Sequence, residues 1–371
     1  MDSRRSVNNQ ANSALSTFVA LLTMVFCNPA TAQHSSLDTP VDARSVAMGE
    51  SFVALRSNPG LVYNPAGIAA VSKAGATFSQ RNVDWTDYLE DYRFIQFTAT
   101  LPTPVAEFGL SYNRYQRGEI IVTGPAGPEP IATLHPYDNT IALIAARSFD
   151  CGLDAGIAFK MFDLGDVLPS TTPAFLVDVG FIYSFFGCNE SLSRSNELTL
   201  GISLQNFGSY LIVKDAAGLF EGKETPPRFV KTGIAYTYRV HPEIETQLAP
   251  LTIVVSAQFT GLLNEPTLYP SHTGGGGFGV EATVFEVVSG RVGGYTPPVN
   301  SIYGENGTFE PRYGVGITIP LAKLHVAPLR VGFDYGIIPL TATSSAAVGF
   351  GSNKSTLGAF TFTASYENEL F

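Results

Sequence analysis

Five charged residues fall on the small, polar face of strand-like segments, where two of them could act as a catalytic acid and base: Asp178, Glu281, Arg291, Arg330 and Asp334. Charged pairs in a polar interior more often neutralise one another than perform chemistry. The five histidines are scattered, with no HExxH or other paired spacing for a metal, and there is no GxSxG motif. We therefore predict that the protein is not an enzyme and uses no metal and no cofactor.

Two further features invite a chemical interpretation. The run Gly274–Gly277 resembles a phosphate-binding loop, but no Lys and Ser/Thr follow it and a strand comes next, which favours a flexible loop. Cys151 and Cys188 are predicted at the same end of two adjacent strands, about 5 Å apart. A disulfide between them is geometrically feasible, and two unrelated thiols are the alternative.

The composition and the N-terminus indicate an exported protein that does not bind nucleic acid. Charged residues make up only 15% of the 371 residues, and the net charge of −10 leaves no basic surface for a polyanion. A basic start, an apolar run over residues 14–26 and small residues at 30–32 have the order of a secretory signal peptide. We predict that residues 1–32 are removed after Ala32.

The elements that must position any site are strands. Apolar residues alternate with small or charged residues in about fourteen segments, as at Leu198, Leu200, Ile202 and Leu204. The segments lie near residues 74–82, 92–101, 107–116, 138–147, 153–162, 174–185, 197–205, 230–240, 251–259, 277–286, 288–296, 311–320, 328–338 and 356–366. An all-β fold follows, with one apolar face on each strand.

The connections between these segments alternate in length, as in a transmembrane antiparallel β-barrel. Short connections such as 102–105 and 150–152 would lie in the periplasm, and long ones such as 206–229 outside the cell. A soluble sandwich would need apolar partners on both sheets, whereas a barrel in lipid needs an apolar exterior only. We therefore predict a barrel in contact with lipid, in the outer membrane of a Gram-negative bacterium.

Several segments resemble one known family. DARSVAMGESFVAL (42–55) and NPAGIA (64–69) are similar to the N-terminal signature of the PorV/PorQ outer-membrane proteins, which are related to the FadL fatty-acid transporters. The resemblance continues, in order, in LVDVGFIYSF (176–185), GISLQNFG (201–208), PRFVKTGIAY (227–236), RVGGYTP (291–297) and VGFDYGIIPL (331–340). Glu50 departs from the family, which often has a second glycine after Gly49.

The resemblance implies a plug, or hatch, over residues 33–72 inside a barrel over residues 73–371. Pro65 restricts Asn64 to extended geometry and can begin a helical turn, and Gly67 permits close approach to another surface. The predicted plug or gate residues are Gly49, Asn64, Pro65, Ala66 and Gly67.

Three functions are open at this point. The resemblance implies an accessory of the type IX secretion system that binds the translocon or sorting-domain cargo. The alternative is a FadL-like transporter whose partner is a hydrophobic small molecule. Apolar residues in the long connections, such as Leu211, Ile212 and Val213, could serve such a ligand or only pack the loops together. An open diffusion porin is the third function, and a plugged lumen disfavours it.

Overall fold

The protein forms a closed antiparallel barrel of fourteen strands in the computed structural model. The described residues are 36–37, 39, 41–56, 63–82, 93–116, 118–123, 130–166, 170–185, 196–214, 221–240, 248–264, 274–296, 309–339 and 356–367. The predicted signal peptide, residues 1–32, lies outside these ranges.

One helix and nineteen strands are described. They are α1 (Ala43–Ala47), β1 (Gly75–Asn82), β2 (Arg93–Pro102), β3 (Glu107–Gln116), β4 (Ile120–Thr123), β5 (Pro130–Leu134), β6 (Tyr137–Phe149), β7 (Leu153–Gly165), β8 (Ser170–Thr172), β9 (Ala174–Ser184), β10 (Asn196–Gly208), β11 (Leu211–Lys214), β12 (Glu221–Glu224), β13 (Phe229–Val240), β14 (Leu251–Leu262), β15 (Gly274–Val284), β16 (Val288–Thr296), β17 (Glu310–Pro320), β18 (Leu329–Pro339) and β19 (Thr356–Tyr366). Short 3-10 turns occur at Pro65–Ile68 and Asp150–Gly152.

The barrel contains β1, β2, β3, β6, β7, β9, β10 and β13 to β19, in chain order, and closes where β19 pairs with β1. These are the fourteen predicted segments, each matched within three residues at both ends, so the fold prediction is confirmed. We call the end with the short connections the inner end and the other the outer end. All fourteen strands pair antiparallel with their neighbours in the barrel.

The alternation in sequence separates an apolar outer face from an inner face that carries the buried polar residues of the strands. On β10, Ile202 is 43% and Leu204 41% exposed, whereas Ser203 and Gln205 are buried. The same division holds on β17, where Val315 is 60% exposed and Arg312 is buried. Side chains of successive strand residues point to opposite sides of the sheet, so the polar set faces the lumen.

One sequence prediction about the connections is wrong, and one feature of them was not predicted. The glycine run predicted as a flexible loop is the start of β15, where Gly275 pairs with Thr260 and Gly276 with Phe259. The long connections also contain five short strands that were not predicted. β4 pairs with β5, and β11 lies between β8 and β12 in a three-stranded sheet at the outer end, called here the outer sheet.

Candidate functional site

The segment before β1, called here the plug (the described part of residues 36–72), runs through the barrel from end to end. At the outer end of β6, the Ser36 amide donates to Asp138 Oδ1 at 3.2 Å. At the inner end of the same strand, Ser148 Oγ donates to the Ala69 carbonyl at 3.1 Å. Ten strand residues separate these two contacts, about 33 Å at 3.3 Å per residue. The plug therefore occupies the full length of the lumen.

The helix α1 is set by a side-chain cap and by small residues that touch the wall. Asp42 Oδ1 accepts from the Ser45 amide at 2.8 Å, which satisfies one of the free N–H groups of the first turn. The Ala43 amide donates to Thr361 Oγ1 on β19 at 2.8 Å. A Cβ added at Gly336 on β18 would lie 2.6 Å from the Ala43 carbonyl oxygen. The helix thus lies directly against the wall backbone.

Gly49, a predicted gate residue, presses against β15 and β16. Its φ is +61°, and an added Cβ would lie 2.2 Å from the Gly294 oxygen and 2.5 Å from the Phe278 oxygen. Glu50 also has a positive φ, 63°, where glycine is the usual residue. Its carboxylate pairs with Arg312 Nη1 at 2.6 Å, so an ion pair is found at the position where the sequence differs from the PorV/PorQ proteins that it resembles.

Asn64 joins the plug to two barrel strands. Its Nδ2 donates to Val53 O at 2.8 Å within the plug, and to Phe181 O on β9 and Ile202 O on β10 at 3.2 and 3.4 Å. Its Oδ1 accepts from the Ala66 amide at 3.0 Å and so caps the turn that begins at Pro65.

The Asn64–Gly67 segment fits a notch made by two wall glycines. A Cβ at Gly180 would lie 1.8 Å from Asn64 Oδ1, and a Cβ at Gly156 would lie 2.5 Å from the Pro65 carbonyl carbon. All four plug residues from Asn64 to Gly67 are buried. Their predicted gate role stays a prediction, and the geometry places them at the inner half of the plug.

Inward amides and hydroxyls that were not singled out in the sequence also bind the plug. Gln258 Oε1 on β14 accepts from the amides of Phe52 and Val53 at 3.0 and 2.8 Å. Ser51 Oγ and Ser256 Oγ lie 2.7 Å apart. The only signal in the sequence is that Gln258 and Ser256 occupy polar-face positions of a strand, and this signal does not separate them from solvated residues.

Among the residues that the structure describes, three ion-pair groups connect the plug to the wall. Arg44 binds Glu281 on β15 at 2.8 Å, and Glu281 also pairs with Arg291, which reaches Asp334 at 2.5 Å. The other two groups are Arg56 with Glu197 and Asp154, at 2.8 and 2.6 Å, and Glu50 with Arg312. The inward charges Glu281, Arg291 and Asp334 therefore neutralise one another and the plug. Asp178 pairs with Lys160.

An apolar cluster surrounds the outer end of the plug. Leu37 packs with Phe162, Leu164, Ala174, Leu176 and Leu211, all buried. Leu211 belongs to β11 of the outer sheet, in the connection between β10 and β13, so this connection covers the outer end of the plug. Of the two interpretations of Leu211, loop packing is the one that its burial supports.

A cavity of about 370 Å³ lies at the inner end, beneath the plug and beside β1, β2, β18 and β19. We call it the vestibule. Its lining is rich in hydroxyl groups, among them Thr77, Thr98, Thr100, Thr363 and Ser365.

A chain of ion pairs borders the vestibule. Glu367 binds both Lys73 and Arg330, and Arg330 also binds Glu286. Burial would raise the pKa of Glu367, but the Lys73 hydrogen bond and the Arg330 charge outweigh it, so its pKa is lowered. Burial would likewise raise the pKa of Glu286. The hydrogen bond from the Ala249 amide and the positive charges of Lys323 and Arg330 outweigh this effect, so the pKa of Glu286 is also lowered.

The remaining chemical predictions fall partly outside the described residues. Cys151 lies in the turn between β6 and β7, and Cys188 is outside the described ranges, so the disulfide stays a prediction. Within those ranges no group of three or more metal-binding side chains is found. No helix in the described part of the chain combines the length and apolarity needed to cross a membrane.

No protein-family model and no curated protein matches the chain. Solved structures do match. The toluene transporter TbuX of Ralstonia pickettii is 10% identical over 88% of this chain and 97% of its own, with a TM-score of 0.48. A FadL homologue of Pseudomonas aeruginosa and the toluene transporter TodX of Pseudomonas putida are each 10% identical, over 92% of this chain and 100% of their own, with TM-scores of 0.49 and 0.45.

Two of these structures are toluene transporters and the third is a FadL homologue, and what they share with this chain is the fold. At about one identical residue in ten, the similarity is too low to assign a ligand to this chain. None of the three is a PorV or PorQ protein, so that resemblance stays a prediction.

Proposed function

We propose that this protein is an outer-membrane barrel that passes hydrophobic small molecules, with its plug as the gate. The apolar exterior supports a location in lipid, because Leu143, Val315 and Ile317 are each more than half exposed on the outer face. A closed barrel has no unpaired strand edge, which is the condition for a β-structure to cross a bilayer.

The observation that carries the proposal is the different chemistry at the two ends of the plug. Its outer end, Leu37, is seated in an apolar cluster that a hydrophobic compound can compete for. Its inner end borders the hydroxyl-lined vestibule. In between, the plug is held to the wall by apolar contacts, ion pairs and amide hydrogen bonds. Water can replace the polar contacts when the plug shifts.

A disulfide lock tests whether the plug must move. The Ser51 and Ser256 hydroxyls are 2.7 Å apart across the boundary between plug and wall, so Ser51→Cys with Ser256→Cys should close a bond there. Thr283→Cys with Ser289→Cys is the matched control, since these hydroxyls lie 2.9 Å apart within the wall. Cys151 and Cys188 are replaced by serine in both proteins.

We expect oxidation to stop uptake of a labelled aromatic or long-chain fatty acid by cells with the plug lock, and reductant to restore it. Cells with the wall lock should take up the compound under both conditions. Equal uptake by the oxidised plug lock and the wall lock would show that passage does not need the plug to move. Unchanged uptake on deletion of the gene would remove the transport function itself.

A second candidate is the type IX accessory role implied by the sequence resemblance. The outer sheet favours this role, because a partner protein could bind its ordered surface at the outer end. Two of its three strands, β11 and β12, lie in the long connection between β10 and β13. Replacing residues 211–224 by a short glycine-serine linker should then reduce recovery of a translocon subunit or sorting-domain cargo in pull-downs. The plug lock should leave this recovery unchanged, which separates the two functions.

A further inference from the structure

Two arginines lie on the lipid-facing side of the barrel near its outer end. Arg93 begins β2 and Arg114 is close to the end of β3. Their strand neighbours Phe94 and Tyr115 are buried in the lumen, so the two arginines have the opposite, outward orientation. Arg93 pairs in register with Gln116 and Arg114 with Ile95. The two are therefore diagonal neighbours, about 7–8 Å apart and within reach of a common ligand.

Both guanidinium groups are held by neutral partners. Arg93 Nε and Nη2 donate to Gln116 Oε1 at 3.1 and 3.0 Å. The Arg114 guanidinium carbon lies 4.0 Å from the centre of the Tyr137 ring. Neither contact cancels a positive charge, and each limits the motion of a long side chain. Two oriented cations are thus presented on the outer face, beside the polar residues Asn82, Gln116 and Asn139, with Asp163 one strand beyond Asn139.

The ring under Arg114 is itself fixed by the wall. A Cβ added at Gly165 would lie 2.0 Å from the Tyr137 ring, so the ring covers this glycine closely. On the same surface Tyr112 Oη donates to Asn139 Oδ1 at 3.2 Å, which orients the Asn139 amide group. The charged pair therefore has an ordered polar surround.

The surface toward the inner end is apolar. Phe97, Leu110 and Leu143 are 40%, 39% and 61% exposed on the same side of β2, β3 and β6. Arginine on a barrel exterior is costly at the bilayer midplane and nearly neutral at the interface. The position near the strand ends therefore matches headgroup depth, with acyl chains alongside Phe97 and Leu143.

We propose that Arg93 and Arg114 form a binding site for the phosphorylated headgroup of an outer-leaflet lipid. Guanidinium groups bind phosphate oxygens through paired, charge-assisted hydrogen bonds, and two of them on one face can engage a single phosphate. The site rests on the outer-membrane orientation in the proposed function, and it needs neither passage of a ligand nor movement of the plug.

Native mass spectrometry of the full barrel in detergent tests the site, with phosphorylated lipid A and the same lipid A enzymatically dephosphorylated as probes. We expect the wild type to bind the phosphorylated form about tenfold or more tightly, the usual effect of hydrogen bonds to a charged group. Arg93→Gln with Arg114→Gln should remove this preference. Arg147→Gln is the matched control, because Arg147 is exposed on the outer face at the inner end of β6.

Three results would overturn the proposal. They are equal binding of both lipids by the wild type, an equal loss in the control variant, and binding of inorganic phosphate alone as tight as that of the lipid. The comparison of the two lipids uses the wild type, so it stands even if a variant inserts poorly. A barrel that binds the lipid and fails in uptake would leave this site intact and reject the transport function.

Discussion

Gly49→Ala should detach the plug and leave the barrel closed. The left-handed φ of +61° costs alanine about 1–2 kcal/mol. The new Cβ would also lie 2.2 and 2.5 Å from the carbonyl oxygens of Gly294 and Phe278. Both are backbone atoms of paired strands, so the plug must move to remove the overlap. Overpacking of this kind destabilises a site by about 1–3 kcal/mol. The sum of about 2–5 kcal/mol raises the detached fraction about 30-fold to a few thousand-fold.

Conductance across planar bilayers measures the detached state directly, because a lumen without its plug passes ions. We expect few openings from the wild type and frequent ones from Gly49→Ala. Gly290→Ala is the control, since Gly290 also lies on β16 and an added Cβ there has no atom within 4 Å. If Gly49→Ala is as silent as this control and has the same melting temperature, the close contact between Gly49 and the wall does not hold the plug.

Three further predictions concern the contacts between plug, wall and vestibule. Asn64→Ala removes several buried hydrogen bonds at about 1 kcal/mol each, and should change uptake or partner binding while the amount of heat-resistant folded barrel stays constant. Glu50→Gln leaves the buried Arg312 with one carboxylate fewer and should lower the melting temperature, with a cost of up to about 3–5 kcal/mol; no shift would mean that the pair contributes little. The pKa values of Glu286 and Glu367 are lowered in the folded state, so the two ionised carboxylates stabilise the protein fully above about pH 4.5. This stabilisation is lost as the pH falls through their folded-state pKa values. The melting temperature of a Glu286→Gln, Glu367→Gln double variant should therefore fall less on acidification than that of the wild type.

The strands of the barrel could be predicted because their two faces have different surroundings. Ile202 is exposed on the outer face and Ser203 is buried in the lumen, and a similar alternation marks β17. The outer sheet was missed because its strand Leu211–Lys214 begins with three apolar residues in a row and shows no alternation. Leu211 packs in the apolar cluster around Leu37, which the local sequence does not reveal. Short strands of this kind depend on tertiary partners that the local sequence does not contain.

The error at Gly274–Gly277 has a physical cause in the plug. Glycine disfavours strands, and four in succession predict a loop. In β15, however, a Cβ at Gly277 would lie 1.7 Å from the Gly49 carbonyl oxygen, so this strand position cannot carry a side chain. Glycine is required at position 277 because the plug residue Gly49, more than two hundred positions earlier in the chain, contacts the strand there. A sequence alone does not reveal that partner.

The predicted plug residues were selected for backbone freedom, and the structure adds two kinds of residue that fasten the plug: charged and polar ones such as Arg44, and apolar ones such as Ile68. Arg44 and Glu281 are 237 positions apart, so their pairing follows only from the closed barrel. This choice of contacts bears on the gate. Separating two apolar surfaces exposes both to water at full cost, whereas the groups of an ion pair regain hydration when water enters between them. The ion pairs of Arg44, Glu50 and Arg56 therefore oppose release of the plug into a wet lumen less than the apolar contacts of Val46 and Ile68 with the wall do.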